Sequence, residues 1–256
     1  MNRPLLRREW QIFLLALGFL TRLPVPPDPD FSAAKLNAAS RYFPAVGLVV
    51  GGLGWLTYAA AVALFDQAMV AVLLSLALTA LLTGAFHEDG FADSCDGLGG
   101  GQQREDVLRI MRDSRLGSFG VVGLLLLIML KVHALSAIAT TAGTTVVGAA
   151  IMWGHVVSRW LTVSFLVDQT YIGGDGKSKP MASAMSVKHL GLAGVAVLPL
   201  FLLGLPGGWW LLLPLLLGWR LLWAGYLRRR MGGYSGDTLG AAQQVAEVLI
   251  YLGFLL

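Results

Sequence analysis

The stretch VAVLLSLALTALLTGAFHEDGFADSCDGLGGG, residues 70 to 101, joins two opposite chemistries in one segment. Its first part, through Phe86, carries no charge, and its length and apolarity suit a helix entering a bilayer. The second part places Asp89, Asp93 and Asp96 at i, i+4 and i+7. If the run continues as a helix, residues turn by about 100° each and the three carboxylates fall within an arc of roughly 60°. They are expected to share one site. Three carboxylates roughly 6 Å apart repel by about 3 kcal/mol per pair at an effective dielectric near 20, so a cation or protons should be held there. An all-oxygen donor set without clustered Cys or His favours Mg²⁺, with Mn²⁺ as a substitute. The neighbouring Gly97, Gly99, Gly100 and Gly101 suit a loop whose backbone comes close to a ligand better than a plain acidic helix end.

Outward from this stretch, the whole chain is apolar. Of 256 residues, 56% are hydrophobic and only 13% charged, and the mean hydropathy is +0.68. Typical soluble domains are about a quarter charged, so the composition points to an all-α polytopic membrane protein. Apolar stretches near the bilayer length predict about seven transmembrane helices, roughly 42–65, 67–87, 119–140, 145–167, 189–205, 209–227 and 240–256. An N-terminal interfacial or re-entrant helix precedes them, because Ile12 to Leu20 is too short to span and is flanked by Arg7, Arg8 and Trp10. No small-x-small cleavage site follows it, so this segment is expected to be retained. Residues 1–256 read as a single domain, with 1–41 as the interfacial segment and polar loops at 88–118, 168–188 and 228–239.

Charge sets the expected orientation. The net charge is +4, and among Lys and Arg only Lys131, Arg159 and Arg220 fall within the expected spans. All the others lie on the side of the polar loops, which the positive-inside rule makes cytoplasmic. The basic residues flank membrane segments and form no polar face, so nucleic acid is not an expected partner, whereas membrane lipids are. The single Cys95 excludes an intrachain disulfide framework.

Two further constellations carry chemistry. Leu108, Ile110 and Met111 alternate with Arg104, Arg109, Arg112 and Arg115, suggesting a short amphipathic helix over the carboxylates. Arg112 and Arg115 flank Asp113, and guanidinium groups beside a metal-carboxylate site suit phosphate or diphosphate; contact with anionic lipid is the competing reading. In GGYSGDTLGAAQQVAEVL, residues 232 to 249, Asp237 opens the last span among Gly233, Gly236 and Gly240, and Glu247 lies deeper. Ionisable groups at such depth are costly and usually functional. Asp237 is expected to complete the metal shell, and Glu247 to pair with Lys131, Arg159 or Arg220. The GGDGKSK run beginning at Gly173 holds Tyr171 where a Walker A loop needs glycine, leaving a flexible basic lid as the modest expectation. His87 should point away from the aspartates, and His133 and His155 read as core residues. A cation transporter and a CDP-alcohol-type phosphotransferase remain rivals, although the latter's D-G-x2-A-R pattern fails at Asp93 and Ser94.

Five motifs read together narrow the choice. FLTRLPVP at 19–26, FPAVGL at 43–48, HEDGFADSCDGLGGG at 87–101, IMRDSRLGSFG at 110–120 and GGYSGDTLGA at 232–241 resemble the cobalamin synthase family, the adenosylcobinamide-GDP ribazoletransferases, in order and spacing across nearly the whole chain. Glu88 and Ser235 stand where the family more often has Leu and Thr. The resemblance implies a Mg²⁺-dependent transfer at the cytoplasmic side of a prokaryotic inner membrane. Adenosylcobinamide-GDP and α-ribazole, or its 5′-phosphate, would give adenosylcobalamin, or its phosphate, plus GMP. In that setting Asp89, Asp93 and Asp96 are the expected metal ligands, with Asp237 a fourth. Arg112, Arg115, Gly99, Gly100 and Gly236 are candidate substrate contacts, and Asp113 and Asp237 the catalytic candidates, Asp113 as base or second-metal ligand. A homo-oligomer is left open.

Overall fold

The computed structural model describes residues 3–173 and 184–256. Most of the GGDGKSK run, residues 174–179, lies outside them. Among the described residues there are no strands beyond one isolated parallel bridge between Tyr171 and Tyr234. The helices are α1 (Arg3–Leu20), α2 (Ala33–Ala39), α3 (Phe43–Phe65), α4 (Ala68–Thr83), α5 (Phe86–Gly100), α6 (Arg104–Met111), α7 (Ser118–Thr141), α8 (Thr144–Asp168), α9 (Val187–Gly194), α10 (Trp209–Met231) and α11 (Gly236–Gly253). A 3₁₀ segment, Val195–Leu203, continues α9.

The chain is an all-α polytopic membrane protein. Among the described residues, four segments are long and apolar enough to cross a bilayer: Ala33–Phe65, α7, α8 and α10, with the bent pair α4–α5 as a fifth. The expected seven is therefore not reached on length and composition. The stretch 189–205 is divided at Gly194 into a short α-helix and a 3₁₀ segment containing Pro199, whose missing N–H breaks the helical ladder. α11 is placed like a span but carries Gln243, Gln244 and Glu247 inward, which lowers its hydropathy.

The expected single helix over 67–87 is also corrected. Gly84 and Ala85 both adopt left-handed backbone, with φ of 67° and 54°, and the axis turns by 88° between α4 and α5. Glycine enters this region at no steric cost, and helices commonly end on it. The backbone N–H of Arg22 donates to the Leu82 carbonyl at 2.6 Å, satisfying one of the orphaned acceptors at that end.

α8 is the central helix. Sixteen of its residues are buried, from Val147 to Leu166, against α3, α11 and the α9 segment. The opposite character appears on α7 and α10, where Leu125, Leu126, Met129, Leu213, Leu217 and Leu222 are exposed. An apolar belt of this kind is what lipid contact requires. At the N-terminus, α1 buries Ile12, Ala16 and Leu20 against Val46 and Val50 of α3. Polar pins tie it down: Glu9 pairs with Arg41 and accepts from Tyr42 at 2.7 Å, and Lys35 donates to Gln11 at 2.9 Å and to Asp28 at 2.8 Å.

Candidate functional site

The carboxylates are assembled by the crossing of α5 over α11. At Gly90 an added Cβ would lie 2.9 Å from Asp237 Cα, and at Gly240 it would lie 3.0 Å from the His87 carbonyl oxygen. Only glycine permits backbones this close, so the crossing is set by these two positions. The helical register then presents Asp89 and Asp93 toward Asp237. Asp89 is exposed, and Asp93 and Asp237 are half-buried. Asp93 is the centre of the group, since the charges of Asp89, Asp237 and Asp96 all act on it. Ser235 caps α11 in a capping box with Thr238, and its hydroxyl also reaches Asp237 Oδ2 at 3.4 Å. His87 is buried and lines a separate apolar cavity with Arg159, consistent with the expected opposite direction.

Asp96 is placed differently from its two neighbours. It is buried, and its oxygens accept the backbone N–H groups of Gly117 at 2.7 Å and Gly120 at 2.8 Å. These are the N-cap and third residue of α7, a helix that has no capping side chain of its own. The third aspartate thus anchors the first turn of another helix and complements its dipole. An added Cβ at Gly117 or Gly120 would fall 2.4 Å from that carboxylate, which explains both glycines of the SRLGSFG motif.

The expected glycine loop after Asp96 is overturned. α5 runs on through Gly100, and the glycines serve helix packing. Gly97 faces Met111 and Val107 of α6, Gly101 faces the Val107 backbone, and Gly99 lies against the Phe119 ring. Gly100 is the more open, with Ile110 Cδ1 at 3.5 Å from a built Cβ. Gly236 is the first residue of α11, half-buried, one position before Asp237.

α6 carries the basic loop. Glu105 and Asp106 in its first turn and Arg109 in its last complement the helix dipole. Arg112 closes the helix as its C-cap and is exposed, as is Arg115. Asp113 accepts from Arg115 NH2 at 2.7 Å and from its Nε and backbone N–H at 3.1 Å. The guanidinium holds the Asp113 carboxyl down to about 2. Such a group stays ionised except as pH falls toward that value, and it is a weak proton acceptor. Reading residue types alone missed Arg230, which donates to the Gly101 carbonyl at 2.7 Å and the Gln102 carbonyl at 2.9 Å, tying the end of α5 to α10. Its only signal was the RRR run, which reads as an orientation mark.

Among the described residues, no three acidic, His or Cys side chains converge closely enough to hold one ion. The donor chemistry nevertheless fits a hard cation, since Asp89, Asp93 and Asp237 lie close enough for their charges to act on one another. Mg²⁺ commonly takes one or two carboxylates and completes its shell with waters and substrate phosphates.

A sequence profile of the cobalamin-5-phosphate synthase family matches residues 12–255. The chain belongs to that family. It is accordingly a transferase of cobalamin biosynthesis. Among relatives, a protein of Shewanella amazonensis is 44% identical over 98% of this chain and 96% of its own length. One of Shewanella piezotolerans is 42% identical over 98% and 96%, and one of Ralstonia pickettii 43% over 98% and 97%. All three are named adenosylcobinamide-GDP ribazoletransferase. No solved structure matches the chain.

Proposed function

We propose that the chain joins adenosylcobinamide-GDP to α-ribazole or its 5′-phosphate, forming adenosylcobalamin or its phosphate and releasing GMP. The observation that carries this reading is the α5–α11 crossing, which turns Asp89 and Asp93 of one helix toward Asp237 of another. In the reaction a ribose hydroxyl attacks the phosphorus attached to the cobinamide arm. A bond forms to that phosphorus, the bond to the GMP oxygen breaks, and the hydroxyl proton passes to a base.

One or two of the carboxylates of Asp89, Asp93 and Asp237 would hold Mg²⁺, or Mn²⁺ in its place, with waters and substrate phosphates completing the shell and Asp96 behind them at the α7 terminus. The ion, when bound, neutralises charge on the transferring phosphoryl group and on the departing phosphate. Arg112 and Arg115, exposed on the loop beside the end of α5, reach the diphosphate by charge-assisted hydrogen bonds. Arg115 exchanges its Asp113 partner for substrate in doing so. Asp113, held ionised by Arg115, is a weak proton acceptor, which leaves Asp237, when it is not bound to the ion, as the candidate base. The active site faces the cytoplasm of a prokaryotic cell, because the basic loops lie at the same end of the bundle as the carboxylates.

The test is metal-dependent release of GMP from adenosylcobinamide-GDP in detergent, with and without α-ribazole. Asp93→Asn should abolish release while leaving membrane insertion intact. Wild-type turnover in that variant would sink the carboxylate site, and ion movement by reconstituted vesicles without nucleotide would favour a transporter.

A further inference from the structure

Behind the aspartates, four helices are joined inside the bundle by a polar network. Glu247 of α11 is 1% exposed and Lys131 of α7 is 4% exposed. The Lys131 ammonium donates to Glu247 Oε1 at 2.8 Å and to Gln244 Oε1 at 2.6 Å. Glu247 also accepts from Tyr251 at 2.9 Å and from Gln243 at 2.7 Å, and Gln243 donates to Ser158 of α8 at 2.9 Å. The carboxylate is therefore fully engaged.

Gln244 is the branch point toward the site. Because Lys131 has no acceptor, it fixes the carbonyl end of the Gln244 amide. The other end must then point away, and its nitrogen donates to Gln243 Oε1 at 2.9 Å and to Glu88 Oε1 at 3.1 Å. Glu88 immediately precedes Asp89 on α5, and Gln244 lies seven residues after Asp237 on α11, about 10 Å along the helix and on nearly the same face. The α5–α11 crossing is consequently held by two backbone approaches, Gly90 to Asp237 and His87 to Gly240, and by the Glu88–Gln244 bond. The backbone approaches limit how closely the helices come together, and the bonds of Asp96 to α7 hold the far end of α5. The Glu88–Gln244 bond adds a directional tie at the Asp89 end.

We propose that Gln244, oriented by Lys131, is a positioning residue that acts through Glu88 to set the rotation of α5, and with it the approach of Asp89 and Asp93 to Asp237. The proposal rests on the carboxylate reading above. Mn²⁺ binding by the purified full chain in detergent, followed by the electron paramagnetic resonance of free ion, tests it alongside thermal unfolding. Gln244→Leu should raise the Mn²⁺ concentration for half-saturation about tenfold, the lower end for groups that orient metal ligands. Glu88→Gln keeps an acceptor for the Gln244 amide and should bind within about twofold of wild type. Should Gln244→Leu fail to fold, Glu88→Ala at a half-exposed position carries the same expectation. Unchanged Mn²⁺ binding with a lowered unfolding temperature would reduce the network to a structural role and overturn the proposal alone. Wild-type protein that releases GMP yet binds no Mn²⁺ would overturn the metal reading and the proposal with it.

Discussion

The three aspartates of α5 divide by what their neighbours offer. Asp89 and Asp93 meet other carboxylates, whereas Asp96 meets two amide N–H groups at the start of α7. Replacing it by alanine would leave those donors without their acceptor, at a cost of about 1–3 kcal/mol. Asp96→Ala is therefore expected to lower the thermal unfolding midpoint in detergent, with a smaller loss of Mn²⁺ binding than Asp93→Ala. At the same scale, Lys131 and Glu247 form a buried pair whose single replacement leaves an uncompensated charge. Lys131→Met should destabilise by about 3–5 kcal/mol, and Lys131→Met with Glu247→Leu should recover part of it, as a double-mutant cycle of unfolding would show. Periodicity revealed that the aspartates share a face. It could not reveal that the third would be taken by another helix, because Gly117 lies twenty-one residues away in the chain.

Among the elements, the α5–α11 crossing decides whether there is a site at all. Gly90→Leu would put a branched side chain where even a Cβ comes within 2.9 Å of Asp237 Cα. The helices would be forced apart by ångströms, and displacements near 1 Å can cost about a hundredfold in rate. GMP release should fall by at least that factor while circular dichroism keeps its helical signal. The bend between α4 and α5 has the same origin in small residues. Gly84 was visible in the sequence, but an apolar run through one glycine reads as a continuous helix until its neighbours are known. Here the neighbour is Arg22, whose guanidinium Nε would lie 2.5 Å from a Cβ at Gly84.

For the molecule as a whole, the expected orientation rests on how charge is shared between the two ends. Asp168, Arg228, Arg229, Arg230 and the start of α11 lie toward one end, and Leu256 lies beside the uncharged turn at Gly207 and Gly208 toward the other. A reporter active only in the cytoplasm, fused after Leu256, should be silent, whereas the same reporter in the 101–104 turn should be active. Activity at both positions would place both ends of α11 on one side and refute the arrangement.

Composition alone established a helical membrane protein, charge asymmetry its expected orientation, and five ordered motifs its family, because each is a property of residue types along the chain. The number of full spans, the break at Gly84 and Ala85, the packing role of Gly97, Gly99 and Gly101, and the link from Lys131 through Gln244 to Glu88 belong to the tertiary structure. They arise where segments far apart in sequence come into contact, and a hydrogen bond or a backbone approach between such segments leaves no periodic trace in either one. The aspartate face was legible because helical spacing is local; what each aspartate faces was settled only by the helices packed around it.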